Sequence, residues 1–131
     1  LDNYFVDAHA DVHSLIIESD IICGGQSSTT VESLFVGKQV LLPLFCNYKN
    51  TDYFEQFPWR EYIDLFNVVK NPLEFENYFY DEMLKPSDIS TENMKRRTEL
   101  YLECFEDLNG NAEEMYTKTI VDVINQSKVS H

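Results

Sequence analysis

One segment, residues 20–42, limits what this chain can fold into more than any other part of it. Its sequence, DIICGGQSSTTVESLFVGKQVLL, holds two short apolar runs on either side of a stretch with helical character. The first run, residues 20–23, stops at a pair of glycines, and the helix stops just before Gly37. The second run begins at Gln39 and continues to Leu44, two residues past this segment; it is apolar after Gln39, which is typical of a parallel strand covered on both faces. The segment therefore predicts a right-handed βαβ unit.

Further elements are predicted on both sides of this unit. Asp11 is expected to cap a helix that ends near Ser19, and Asn71-Pro72 is expected to open another with Glu74 in its first turn. Short strands are predicted at residues 3–7 and 66–69, and two long helices begin at Ser90 or Thr91 and at Ala112. The helical positions expected to face inward are Leu15, Ile16, Phe75, Phe79, Met83, Met94, Tyr101, Phe105, Leu108, Met115, Tyr116, Ile120, Val123 and Ile124. We therefore predict one α/β domain over residues 1–131, with a Rossmann-like three-layer α/β/α arrangement, a short parallel sheet and a helix-rich C-terminus.

The turn between the first strand and the helix has the chemistry of an anion site. A strand that passes through glycines into a helix N-terminus directs unpaired backbone N–H groups at one point, and the helix dipole adds positive charge there. Ligands of open α/β sheets bind beyond the carboxyl ends of the strands, where this turn falls. Glu32, expected in the first turn of the helix, could accept hydrogen bonds from both ribose hydroxyls of a nucleotide. The candidate binding residues are Gly24, Gly25, Gln26, Ser27, Ser28, Thr29, Thr30 and Glu32.

The same residues also fit a purely structural role. Thr29-Thr30-Val31-Glu32 matches the T-x-x-E capping box, in which the glutamate bonds only the backbone of its own cap residue. Neither G-x-G-x-x-G nor G-x-x-x-x-G-K-[ST] occurs in the chain. From the residues alone, capping and phosphate binding both stay open.

A longer pattern around this turn resembles a known family. The pattern S-D-I-I-x-G-x-x-S-x-x-x-x-E-x-L-x-x-G-K-x-V, residues 19–40, resembles the nucleotide-binding C-terminal domain of GT-B-fold glycosyltransferases and their relatives. The relatives include UDP-N-acetylglucosamine 2-epimerases, lipid-A-disaccharide synthases and CDP-glycerol glycerophosphotransferases. Leu15-Ile16 before the pattern is similar to their L-I-x-x-S-D helix, and residues 109–112 are similar to the D-G-x-A that precedes their final helix.

The resemblance implies a function in cell-surface carbohydrate biosynthesis. Residues 25–30 would hold the diphosphate of a nucleotide-diphospho-sugar or CDP-polyol donor, and Glu32 its ribose, with no cofactor, no metal ion and no catalytic residue in this chain. The acceptor and the general base would belong to an N-terminal domain of the same chain, so the piece alone is expected to be inactive. The implied location is cytoplasmic, at the inner face of the membrane in the full-length protein. A non-hydrolysing nucleotide-sugar epimerase and a noncatalytic acidic interaction domain are the alternatives.

Charge and cysteine content further limit the binding partners and the cellular compartment expected for the chain. With 23 acidic and 10 basic residues the formal charge is −13, which disfavours nonspecific binding to nucleic acid or anionic membrane. The three cysteines form no C-x-x-C pair and are expected to be buried free thiols in a reducing compartment. Lys95-Arg96-Arg97 is expected to lie on a solvated helix face with salt bridges.

Two other clusters remain as candidates. His9 and His13 would share one face of a helix and could hold a divalent metal with Asp7 or Asp11. Alternatively, they lie at the surface start of a helix that Asp11 caps, or His13 stands near the nucleotide cleft. The aromatic residues from 48 to 62 would be a sugar-stacking or acceptor-facing loop, a satellite core under a long loop, or a surface that met the N-terminal domain. The chain begins with Leu1 and is expected to be a piece of a longer protein, whose exposed apolar surface would favour a homodimer.

Overall fold

The computed structural model describes residues 5–105 and 110–129. The helices are α1 (Val12–Glu18), α2 (Ser28–Phe35), α3 (Asp52–Glu55), α4 (Pro72–Leu84), α5 (Thr91–Phe105) and α6 (Ala112–Val129), with 3₁₀ turns at Tyr48–Asn50 and Arg60–Leu65. The strands are β1 (Ile21–Cys23), β2 (Gln39–Pro43) and β3 (Asn67–Val69). The chain divides into two compact units, the first ending at Tyr101 and the second beginning at Leu102. The prediction of a single nucleotide-sugar-binding domain over residues 1–131 stays a prediction.

The three strands form one parallel sheet in the order β1-β2-β3. Central strand β2 is in register with both neighbours, and its Val40, Leu41 and Leu42 are fully buried, as its apolar sequence predicted. The α/β class and the short parallel sheet are therefore confirmed. The prediction of a strand at residues 3–7 is wrong for residues 5–7, which have no strand structure. Residues 1–4 lie outside the described residues.

Helix α2 is fixed between the strands by its two ends. The Ser27 side chain accepts a hydrogen bond from the Thr29 N–H and caps the helix. At the other end Gly37 has φ +80°, a left-handed conformation that glycine adopts without strain, and the chain turns there into β2. Val31 and Leu34, both fully buried, attach the helix to the sheet. The predicted caps at Asp11 and Asn71 are confirmed as well.

The inward faces of several helices differ from the prediction. On α1, Ile16 is buried as predicted but Leu15 is exposed. On α4, Phe79 and Met83 are exposed, and the buried residue is Glu82, which holds the following loop. On the second unit's helix α6, the side chains of Tyr116, Ile120 and Ile124 are exposed. Spacing identifies an apolar stripe on a helix, but only the tertiary structure decides which stripe is covered. Leu108 and the side chains of Met115 and Val123 lie outside the description.

The basic run on α5 is only partly solvated. Lys95 and Arg96 form the expected surface pairs, with Glu99 and Asp64. Arg97 is instead buried, and its guanidinium donates to the Asn93 side chain at 2.6 Å. It also donates to two backbone carbonyls, those of Leu34 at 3.3 Å and Lys38 at 2.8 Å, which links α5 to the end of α2. Burial lowers the pKa of Arg97 from its usual value. The prediction that Arg97 is solvated is therefore wrong. The protein tolerates the buried charge because these acceptors compensate it.

The aromatic segment after β2 is a packed cluster. Tyr48, Phe57, Trp59 and Phe66 are buried, and the Phe57 and Trp59 rings meet edge to face at 5.3 Å. This favours the satellite-core interpretation over the sugar-stacking loop. The indole Nε1 of Trp59 is buried without a hydrogen-bond partner in the described part of the chain.

The three cysteines are free, as predicted, but all three are exposed rather than buried. Cys23 lies at the end of β1 and Cys104 near the end of α5. Partial desolvation raises the pKa of both of these thiols, so both are weak nucleophiles at neutral pH.

Candidate functional site

The turn that follows β1 is packed tightly against α2 at its first glycine. The Gly24 N–H continues the sheet by donating to the Leu41 carbonyl at 3.1 Å. A methyl group on Gly24 would stand 2.6 Å from the Thr30 Cγ2 atom, so only glycine fits this approach. Gly24 is therefore a structural residue of the turn, and its N–H is not available to a ligand.

The next backbone N–H groups are available. The described residues offer no acceptor to the N–H groups of Gly25, Gln26 and Ser28, whereas those of Ser27, Thr29 and Thr30 bond within the turn. A Cβ added at Gly25 would have nothing within 4 Å, so this side of the turn is open. The first turn of α2 carries no acidic side chain that would offset the positive end of the helix dipole. Three open donors at a helix N-terminus are suited to an anion.

Several side chains of the turn are already engaged in hydrogen bonds within the protein. The Thr30 hydroxyl is buried and donates to the carbonyls of Ser27 at 2.7 Å and Gly25 at 3.3 Å. The Ser27 hydroxyl oxygen caps the helix, and the side-chain amide of Gln26 donates to the Gln56 carbonyl at 3.5 Å. The Ser28 hydroxyl lies on an exposed residue and the Thr29 hydroxyl on a half-buried one, and neither makes such a bond among the described residues.

Glu32 does not cap α2. The cap is Ser27, so Glu32 lies beyond the first turn and the capping box at Thr29 is wrong. The Glu32 Oε2 atom is instead 3.0 Å from Nε2 of His13, at the start of α1. Glu32 follows Ser28 by four residues and so shares its helix face, about 6 Å further along the axis. The Oε1 atom has no partner in the described ranges.

His13 therefore lies beside Glu32, one of the predicted binding residues, and its position at the edge of a nucleotide cleft stays a prediction. The metal interpretation is wrong for the described residues, where no group of three ligating side chains could hold a metal ion. His9 precedes α1 and shares no helix face with His13. Asp11 serves as the cap of α1, and hydrogen bonds from the Ser14 side chain and backbone lower the pKa of its carboxyl group.

A polar cluster that no sequence pattern predicted lies at the amino-terminal edge of the sheet. The Gln39 Oε1 atom accepts from Asn67 at 3.0 Å and from the Tyr78 hydroxyl at 3.4 Å, and the Gln39 amide donates to the Ser87 carbonyl. Glu82 accepts from the Ser87 N–H and hydroxyl, both at 2.7 Å. Burial, and then the Glu82 charge, raise the pKa of Tyr78 to about 12. The adjoining cavity of about 460 Å³ is lined by Gln39, Glu82 and Ser87. Because these groups satisfy one another, the cluster holds α4 and the following loop to the sheet.

Fold and site together define an α/β protein with a small parallel sheet, compatible with a Rossmann-like fold, and an open amide turn at the carboxyl end of β1. No protein-family model matches the chain, and no match was found among curated proteins or among solved structures. Among the described residues, no helix has both the length and the apolar character needed to cross a membrane.

Proposed function

We propose that the turn at residues 25–28 binds the diphosphate of a nucleotide donor. The observation that carries the proposal is the set of three backbone N–H groups, of Gly25, Gln26 and Ser28, that lack acceptors in the described chain at the N-terminus of α2. Backbone donors and the helix dipole attract phosphate oxygens without any basic side chain. The position of the turn, beyond the carboxyl end of a parallel strand, is where such ligands bind in open α/β sheets.

Glu32 would hold the ribose of the same nucleotide. Glu32 shares a face of α2 with Ser28; its Oε1 atom has no partner in the described ranges, and its Oε2 atom contacts His13. The distance of about one helical turn between Ser28 and Glu32 suits a ribose that follows a diphosphate on the helix end.

The class of reaction follows from the resemblance of residues 19–40 to the donor domains of GT-B-fold enzymes. On that basis the chain is the donor-nucleotide-binding part of a glycosyltransferase or glycerophosphotransferase of cell-surface carbohydrate biosynthesis, located in the cytoplasm. The amides of the turn would stabilise the negative charge that grows on the departing nucleotide. The acceptor-side base would come from a second domain. A non-hydrolysing epimerase would use the same turn for the same part of its substrate.

Calorimetric titration with UDP, CDP and inorganic pyrophosphate tests both halves of the proposed site. We expect Glu32→Gln to weaken nucleotide binding by about tenfold or more, because a charge-assisted pair of hydrogen bonds to ribose is lost. Pyrophosphate has no ribose, so its affinity should not fall. Glu18→Gln removes an equal charge from an exposed position on α1 and serves as the control. If Glu32→Gln lowered the affinities for nucleotide and pyrophosphate equally, or lowered neither, the assignment of Glu32 to the ribose would be refuted.

A further inference from the structure

Helix α4 presents an apolar groove on its outer side. The groove has a volume of about 370 Å³ and is lined by Phe75, Glu76, Phe79, Tyr80 and Met83, hereafter the α4 groove. Tyr80 is 60% exposed and Met83 is 69% exposed. Phe75, Phe79 and Met83 follow one another at four-residue spacing, so the groove runs along the helix for about 12 Å. Monomeric soluble proteins seldom expose a continuous apolar strip of this kind unless a partner covers it.

The charge in the groove distinguishes between possible partners. Glu76 lies among the apolar side chains, and no other described residue bonds or pairs with it. A second copy of the groove would bring aromatic rings, a methionine and another glutamate, but no cation. Two Glu76 carboxylates would then lose water without gaining a partner, which opposes self-association through this face. A Lys or Arg from a different molecule would satisfy the carboxylate.

We propose that the α4 groove binds a basic amphipathic helix, whose apolar side chains pack along Phe79 and Met83 and whose Lys or Arg pairs with Glu76. A helix is the matching shape because the apolar residues of the groove repeat every four residues, the spacing at which a second helix presents its own. The formal charge of −13 steers a cationic segment towards the chain and speeds the encounter. This surface is independent of the proposed nucleotide site, so either proposal can fail without the other.

Fluorescence anisotropy with designed peptides tests the proposal on the 131-residue chain. The probe is a labelled peptide of Leu and Lys in which leucine recurs every three or four residues. The first comparison peptide has the same composition in scrambled order, and the second keeps the leucine pattern with Glu in place of Lys. We expect the patterned Leu/Lys peptide to bind at least about tenfold more tightly than either comparison peptide.

Variants of the chain locate the binding site. Tyr80→Ala should weaken binding of the patterned peptide severalfold, and Glu76→Gln should weaken it by about fivefold, the scale of a partly exposed ion pair. Asp81→Asn removes the same charge from the same helix outside the groove and should have a smaller effect. These positions are exposed, so the variants are expected to fold, which circular dichroism would verify.

Three results would overturn the proposal. Equal affinity for the scrambled peptide would mean attraction by charge alone, and equal effects of Glu76→Gln and Asp81→Asn would mean that binding lies outside the groove. Self-association in sedimentation that Glu76→Gln strengthens and Tyr80→Ala abolishes would instead assign the groove to a second copy of the chain.

Discussion

The two glycines after β1 make a sharp test of the site, because alanine should have opposite effects at the two positions. At Gly24 the added methyl group would stand 2.6 Å from Thr30 Cγ2, so the turn or the helix must shift. Such overpacking costs about 1–3 kcal/mol of the free energy of unfolding. At Gly25 the methyl group would meet nothing within 4 Å, and the backbone does not have positive φ there. Alanine at Gly25 should stabilise the fold by about 0.4–1 kcal/mol, by restricting the unfolded chain.

Stability and ligand binding should therefore separate at Gly25. Urea unfolding followed by the fluorescence of Trp59, the one tryptophan of the chain, should place the two alanine variants about 1.5–4 kcal/mol apart. In the same samples, Gly25→Ala should bind UDP about tenfold more weakly than the unsubstituted chain, because the methyl group stands beside an amide that holds the diphosphate. A more stable Gly25→Ala variant with unchanged UDP affinity would refute the proposed role of this turn. A Gly24→Ala variant of undiminished stability would refute the packing on which the turn depends.

Three further substitutions test the surrounding structure. Ser27→Ala removes the cap of α2 and should lower the free energy of unfolding by about 1 kcal/mol in urea, and an unchanged midpoint would contradict the cap. Arg97→Met leaves the Leu34 and Lys38 carbonyls without their buried donor and should cost about 2–4 kcal/mol in the same assay, whereas a cost below 1 kcal/mol would contradict this linkage. The pKa of Tyr78 is raised from 10.0 to about 12 in the folded chain, so the unfolded chain releases this proton first and stability falls as pH rises from 10 to 12. Allowing for solvent screening of a half-buried phenol, the loss is on the order of 1 kcal/mol, and it should be absent from Tyr78→Phe in urea unfolding at pH 9 and pH 11. An equal loss of stability in the unsubstituted chain and in Tyr78→Phe would contradict the assignment of this loss to Tyr78.

The central βαβ unit could be predicted from sequence because its signals are local. Glycines mark both ends of α2, and the continuous apolar run of β2 distinguishes a strand covered on both faces. The cap at Asn71 is equally local, since the Asn71 side chain accepts from Glu74 three residues away. Such features need no knowledge of the rest of the fold.

The details of the site needed contacts that no local pattern contains. The T-x-x-E pattern placed a cap at Thr29, whereas α2 is capped by Ser27 and Thr30 is buried against Gly24. Glu32 meets His13 across 19 residues, so a four-residue motif that explained Glu32 by itself was misleading. Arg97 looked like one member of a solvated basic run, but the two backbone carbonyls that it bonds lie about 60 residues earlier in the chain.

The most direct test of the account is an NMR titration that observes individual backbone amides. With pyrophosphate and then UDP added to the ¹⁵N-labelled chain, the account predicts saturable shifts concentrated at the N–H groups of Gly25, Gln26 and Ser28. The Gly24 N–H, which is bonded within the sheet, should move least among the amides of the turn. Unchanged resonances for those three amides at millimolar ligand, or shifts spread evenly over the surface, would contradict the claim that this turn binds phosphate.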